Sequence, residues 1–255
     1  MLFRSSGFEA RAAAIDKAPL SEYQERRARL GGQIRGSVLV LKAAEELELV
    51  EYIQEPNFFY LTGFEQPGAT LVLDSTKTPT QEFLFLPKRI PSQEQWTGIR
   101  MGPGPEAEKA TGMAKVLPES ELTPMLNGLR ESGATVLELK DVASKIAAMR
   151  QVKSAFEVAM LEKAITITVN GIRSAAKVIA PGTMEYEAEA ALEYEFRRSG
   201  SERPGFTSIV GSGPFSTILH YDESSRKMQT GDTVVVDVGA EYSGYSADVT
   251  RTFPV

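Results

Sequence analysis

Two aspartates sit where carboxylates are costly. Asp237 and Asp248 lie in "GDTVVVDVGAEYSGYSADVTRTFPV", the last 25 residues, each inside a run of apolar or small residues. An isolated carboxylate is expensive to bury. Two strand patterns flank "EYSGY", and paired residues of an antiparallel hairpin have a constant index sum. A turn centred on Tyr242 and Ser243 sets Asp237 opposite Asp248, with Cβ atoms about 5 Å apart on one face. Like charges so placed destabilise a sheet, and a bare pair shares a proton or repels. A divalent cation removes the conflict, since hard carboxylate oxygens are its preferred ligands. The structural alternative, a turn cap or a pair with Arg251, suits Asp248 better than Asp237 inside "VVVDVG".

The third candidate is His220 in "TILHYDES", the one histidine of the chain. It follows an apolar run that reads as a strand. A single histidine cannot build a two-histidine zinc site. It can act as acid, base or substrate donor beside a metal, or be structural. The chain has no cysteine, which excludes disulfides, zinc fingers and thiol catalysis and fits a reducing compartment. No Gly-x-Ser-x-Gly elbow is present. The prolines of "MGPGPE" lack the N–H groups a phosphate cradle needs. "RRARL" and "RRSGSERPG" read as solvated helix ends. Trp96 reads as packing, with exposure at an interface as the alternative.

The elements that must position these groups fall into two kinds. Ser21 and Gln24 form a capping-box pattern, and Gly31-Gly32 reads as the end of that helix. "SVLVL" is a continuous apolar run of the kind buried on both faces, followed by the apolar segments "FFYLTGF" and "ATLVLD". "STKTPT" is a turn cluster and "EFLFL" closes a hairpin. "ESELTPMLNGLRES" reads as a helix, "ATVLEL" as a strand, and "DVASKIAAMR" as a helix with Asp141 as N-cap. This alternation predicts an α/β layer domain. Near residue 150 the character changes. Ser154 and Glu157 form a capping box opening a long helix to about Val178, with Val158, Leu161, Ile165 and Val169 as its apolar stripe. A second helix, from about Met184 to Arg198, carries Ala188, Leu192 and Phe196 and stops at Gly200. Strand-like segments follow.

Composition sets the class. The chain has 255 residues, 42% hydrophobic and 24% charged, as in a folded globular protein. Its net charge of −6 argues against a nucleic-acid partner. No apolar run approaches the roughly 18 residues of a membrane span, so no membrane partner is expected. The first 20 residues lack the apolar stretch of a secretory signal and read as an N-terminal tail, with a transit-like leader as the alternative.

Taken in order, "YIQEPNFFYLTGFEQPGATLVL", "EQWTGIRMG", "AAMRQVKSAFEVAMLEKA", "SIVGSG", "ILHY" and the final 25 residues resemble bacterial Xaa-Pro aminopeptidases (aminopeptidase P). The resemblance runs from about Tyr23 to Val255, and its last segment is highly specific. It implies a creatinase-like α/β domain over residues 21–145, then an α+β pita-bread metallopeptidase domain beginning at 146, of which 146–255 is the first half. It implies two divalent ions, Mn²⁺ by family, held by two aspartates, one histidine and two glutamates, with a hydroxide bridging the metals. By motif Asp237 and Asp248 match the two aspartates, Asp248 as the bridging one, and His220 matches a histidine that contacts substrate. The remaining ligands lie later in family members than Val255, so the sequence reads as part of a longer enzyme and as inactive alone. The family's asparagine three residues after "HY" is Ser224 here. The implied partners are peptides with proline second and further copies of the chain, in the cytoplasm. The alternatives are a prolidase, or a non-catalytic module on the same fold.

Overall fold

Five short runs between residues 37 and 137 pair into one sheet in the computed structural model, which describes residues 16 to 255. Contacts divide the chain into two units, Ala18–Val152 and Lys153–Val255, the latter with Asp16 and Lys17. The tail expected over residues 1–20 lies, through residue 15, outside the described residues.

The first unit runs α1 (Leu20–Gln33), β1 (Ser37–Lys42), α2 (Pro56–Thr62), β2 (Thr70–Asp74), β3 (Gln81–Leu86), α3 (Glu94–Thr97), α4 (Pro105–Thr111), β4 (Lys115–Pro118), α5 (Leu122–Glu131), β5 (Thr135–Leu137) and α6 (Leu139–Gln151). The sheet order is β4-β3-β2-β1-β5. β1–β2 and β2–β3 are antiparallel, while β1–β5 and β3–β4 are parallel. All five residues of β2 are buried. Alternation sends Leu71 and Leu73 into one core with Leu30, Leu61 and Ile146, and Val72 into the other with Val38 and Phe85. Helices therefore cover both faces, and the predicted α/β layer domain is present.

Several local expectations change. "FFYLTGF" is mostly helix, because Glu55 accepts from Phe58 N at 2.6 Å and Pro56 sits at the first position. In α6 the N-cap is Glu138, and Asp141 is its capping-box partner, accepting from Glu138 N at 2.8 Å. Two of the three arginines of "RRARL", Arg26 and Arg27, are buried, while Arg29 is exposed as expected. Arg27 donates to Glu82 Oε2 at 2.8 Å and to the Leu61 carbonyl at 2.9 Å, and Arg26 lies 4.1 Å from the Tyr60 ring centroid. Trp96 is 83% exposed, so it is not packing within its unit.

α1 starts at Leu20 without a side-chain cap and runs through Gly31 and Gly32 to Gln33. Gly31 serves close approach, not termination: a Cβ there would lie 2.4 Å from Thr80 Oγ1, while one on Gly32 would meet nothing within 4 Å. Adjacent substitutions should therefore have opposite signs. Gly31→Ala is expected to cost about 1–3 kcal/mol by overpacking, and Gly32→Ala to gain about 0.5–1 kcal/mol of helix propensity. Denaturant titration of both checks this, and a stabilising Gly31→Ala contradicts it.

The second unit opens with α7 (Ala155–Val178) and α8 (Glu185–Arg198), then β6 (Arg203–Pro204), β7 (Ile209–Ser212), β8 (Thr233–Val238), β9 (Ala240–Tyr242), β10 (Tyr245–Ser246) and β11 (Val249–Pro254). The Ser154–Glu157 capping box forms as expected. The strands make two three-stranded sheets, β10-β9-β6 and β11-β8-β7. Ala188, Leu192 and Phe196 of α8 pack with Ile167, Ile172 and Ala175 of α7 against Val234, Val236 and Val238. The α7 stripe is a correction. Val158 and Ile165 are exposed, and the buried face holds Met160, Ala164, Thr168 and Gly171. Small residues win there because Phe196 comes so close that a Cβ on Gly171 would lie 2.3 Å from its ring.

Candidate metal centre

The aspartates are delivered by a hairpin whose turn is one residue later than predicted. Tyr242 pairs with Tyr245, so the turn is Ser243-Gly244, with φ of 54° and 77°. Positive φ at both central residues is what the right-handed twist of the flanking strands requires. The ladder continues in that register: Ala247 N bonds the Ala240 carbonyl at 3.0 Å, and Thr250 pairs with Asp237. Direct opposition of the two aspartates is thus corrected. Asp237 faces Thr250, and Asp248, two residues before Thr250, is its diagonal neighbour.

Both still belong to one face. Val234, Val236 and Val238 point into the helix core, joined by Val249 and Phe253 of β11. Alternation therefore turns Asp237, Thr250 and Asp248 to the opposite, open face. Asp237 is half-buried and Asp248 exposed. Thr250 Oγ1 donates to Asp237 Oδ1 at 2.7 Å, which fixes that carboxylate. Arg251, the cation that could have neutralised Asp248, is on the other face by register and donates to the Thr250 carbonyl at 2.7 Å. Among the described residues no cationic side chain pairs with either aspartate. Two hard-oxygen donors sharing a face without a protein cation suit a divalent ion. Among the described residues no group of three or more His, Cys, Asp or Glu is gathered to hold one.

His220 is elsewhere on the second unit. It is exposed, in a turn after the 3₁₀ helix Gly213–Thr217 and not after a strand, beside Leu219, which is 86% exposed. The described residues show no hydrogen bond or ion pair between it and either aspartate.

What the sequence reading missed is Glu185, at the start of α8. It is fully buried. Its Oε1 accepts from Ser212 N and Ser212 Oγ, both at 2.6 Å. Its Oε2 accepts from Tyr221 Oη and Arg226 N, both at 2.8 Å. Four donors replace the lost hydration. Arg226 also donates to Ser212 Oγ at 2.7 Å and pairs with Asp232 at 2.5 Å. That guanidinium, helped by Gln229 N–H, holds Asp232 below the usual carboxylate range. Burial pushes the Tyr221 hydroxyl up, and the neighbouring Glu185 adds to the rise. The signal was available: Glu185, Ala188, Leu192 and Phe196 form one stripe, so a glutamate occupies a core position of an amphipathic helix.

Ser224 has φ of 43° and is buried. Asparagine tolerates this region better than serine does. Burial also raises Glu189 above the usual carboxylate range, against the lowering influence of the Ser224 hydroxyl beside it.

Comparison with known proteins gives a consistent account. Residues 23–137 match the family described as aminopeptidase P, N-terminal domain, and residues 159–255 match metallopeptidase family M24. The chain is 34% identical to the Xaa-Pro aminopeptidase of Haemophilus influenzae, covering 95% of this chain and 63% of that one. It is 28% identical to the Xaa-Pro dipeptidase of Pyrococcus horikoshii, covering 82% and 60%. The structure of Escherichia coli aminopeptidase P with the inhibitor Pro-Leu superposes with a TM-score of 0.84 at 32% identity, covering 94% of this chain and 63% of that one. The chain thus spans less than two-thirds of the length of these relatives.

Proposed function

From the premise that this chain belongs to the Xaa-Pro aminopeptidase branch of metallopeptidase family M24, we propose that Asp237 and Asp248 are ligands of two divalent cations, Mn²⁺ in the cell. The activity is removal of an N-terminal residue that precedes proline. The observation that carries the reading is the placement of these two carboxylates, with no protein cation between them, on the open face of the β11-β8-β7 sheet. Bound divalent ions supply Lewis acidity and a water reactive near neutral pH.

The chain's own residues have distinct parts. Asp237 is oriented by the Thr250 hydroxyl. Asp248 is exposed and would supply the second carboxylate to the ions. His220, on an exposed turn, donates to the substrate carbonyl as negative charge develops there. A second reading, an Xaa-Pro dipeptidase, shares these roles and differs in the length of peptide admitted; the higher identity to the H. influenzae aminopeptidase favours the first. The absence of cysteine is compatible with a cytoplasmic site. Among the described residues no helix is long and apolar enough to cross a membrane. The exposed Trp96, Ile90 and Ile99 of the first unit offer apolar area for a further copy of the chain.

Two carboxylates do not satisfy two ions that take five protein ligands in the family. A polypeptide of residues 1–255 is therefore expected to bind Mn²⁺ weakly, above about 10⁻⁴ M, and to leave Xaa-Pro peptides uncleaved. A longer polypeptide containing it is expected to cleave them, to stop on chelation and to recover with Mn²⁺. Calorimetry and peptide hydrolysis test this. Chelator-sensitive turnover by residues 1–255 would show a site built another way, and metal-independent binding of peptides by the longer form would favour a non-catalytic module.

A further inference from the structure

We propose that Glu185 is the positioning residue for His220. The inference rests on the reading that His220 touches substrate. The segment that presents the histidine runs from Ser212 to Arg226, and the one buried carboxylate fastens it at three places. Ser212 at its start donates to Oε1, Arg226 N at its end donates to Oε2, and Tyr221, next to His220, donates to Oε2. The Glu185 backbone N–H also reaches the Arg226 carbonyl at 3.0 Å. Inside the loop, Tyr221 Oη accepts from Ser225 N at 3.2 Å, and its ring stacks on Phe215 with centroids 5.0 Å apart.

His220 itself has none of these ties and is exposed. Its position is therefore inherited from Tyr221, and Tyr221 is held by Glu185. All four groups that meet the carboxylate are donors, so a glutamine cannot replace it: the amide NH₂ would face at least one donor, and the backbone N–H of Ser212 or Arg226 cannot turn to accept. The carboxylate also sits in the first turn of the 14-residue helix α8, where negative charge is favoured. The aspartates are held by the hairpin ladder; the anchor meets their sheet only at Ser212, opposite Val234 and three residues along the strand from Asp237, so its main action is on the histidine loop.

The test has two arms. In residues 1–255, hydrogen exchange needs no turnover. Glu185→Gln is expected to speed amide exchange across 213–225 by about tenfold or more, with α7 unchanged. Tyr221→Phe, which keeps the ring on Phe215 and loses the donor to Glu185 and the acceptor of Ser225 N, is a milder variant if the first fails to fold. In the polypeptide that cleaves Xaa-Pro peptides, each variant is combined with His220→Ala. Glu185→Gln alone is expected to lower kcat/KM about 10–100-fold, as removal of a supporting partner does, with Mn²⁺ affinity within about twofold. In the His220→Ala background it should lower kcat/KM no further. Unchanged exchange, or losses that multiply in the double variant, would overturn the assignment. Full kcat/KM in His220→Ala alone would remove His220 from the reaction and overturn the catalytic half of the claim, while the exchange arm still reads the anchor by itself.

Discussion

Replacing Asp248 with Asn should abolish metal binding and turnover in a metal-loaded polypeptide containing this chain, yet leave the thermal midpoint of residues 1–255 in chelator nearly unchanged. In the loaded form the change removes a charged ligand. The expected fall in kcat/KM exceeds about 100-fold, the upper end of what loss of an outer partner of a metal ligand costs. Thr250→Val, which removes only the hydroxyl donor to Asp237, belongs in the 10–100-fold range. In the unloaded form Asp248 is exposed and diagonal to Asp237. Two charges about 7 Å apart in water repel by about 0.6 kcal/mol. Asn therefore gives a midpoint that is equal or slightly raised, and most visibly so at low salt. Calorimetry in chelator and Mn²⁺ titration make the comparison. A clear loss of stability in chelator would assign Asp248 a structural bond, and Mn²⁺ binding retained within tenfold in the loaded form would remove it from the ligand set.

Gly239→Ala should be the most damaging single methyl in the second unit. A Cβ at Gly239 would lie 1.8 Å from the Ala247 carbonyl oxygen and 2.7 Å from its carbon. Those are backbone atoms and cannot rotate away. Gly239 sits between the paired stretches β8 and β9, opposite Asp248 in the ladder register, so relief of the clash moves the strand that carries Asp248. The expected cost is at least about 3 kcal/mol, the upper range for an overpacked site. It should appear as a lower midpoint, lost amide protection in β8 and β11, and weakened metal binding without any ligand being changed. Wild-type protection across this hairpin in Gly239→Ala would show that the strands can part here at little cost.

The hairpin also shows how far sequence reasoning reaches. Its existence was legible from two β-branched runs around a short polar turn. Its register was not, because the reading weighed strand pattern and not the φ that each turn residue must adopt. Ser243-Gly244 is the pair that tolerates positive φ, and choosing it moves every partner by two. The α7 face failed for a related reason. Large apolar residues mark a stripe on paper, but Phe196 selects the side where Gly171 leaves room. Buried charges were the least legible. Arg27 and Glu185 are fully buried, and each is bonded by partners distant in sequence. The α/β pattern and the family motif, by contrast, were carried by local residue order and were read correctly.

The manner in which the two aspartates and His220 are mounted bears on how such a protein changes over generations. The carboxylates hang on a ladder of backbone bonds in the β8–β11 hairpin, and the histidine rides on a loop clasped at Ser212 and Arg226 by a helix. The two mountings meet at one strand pair, because Ser212 ends β7, which pairs with β8 at Val234. Substitutions at the exposed positions of the histidine loop, such as Leu219 and Asp222, are therefore expected to leave the strands that carry the aspartates in place. That freedom stops at Glu185 and at the Ser212, Tyr221 and Arg226 groups it holds.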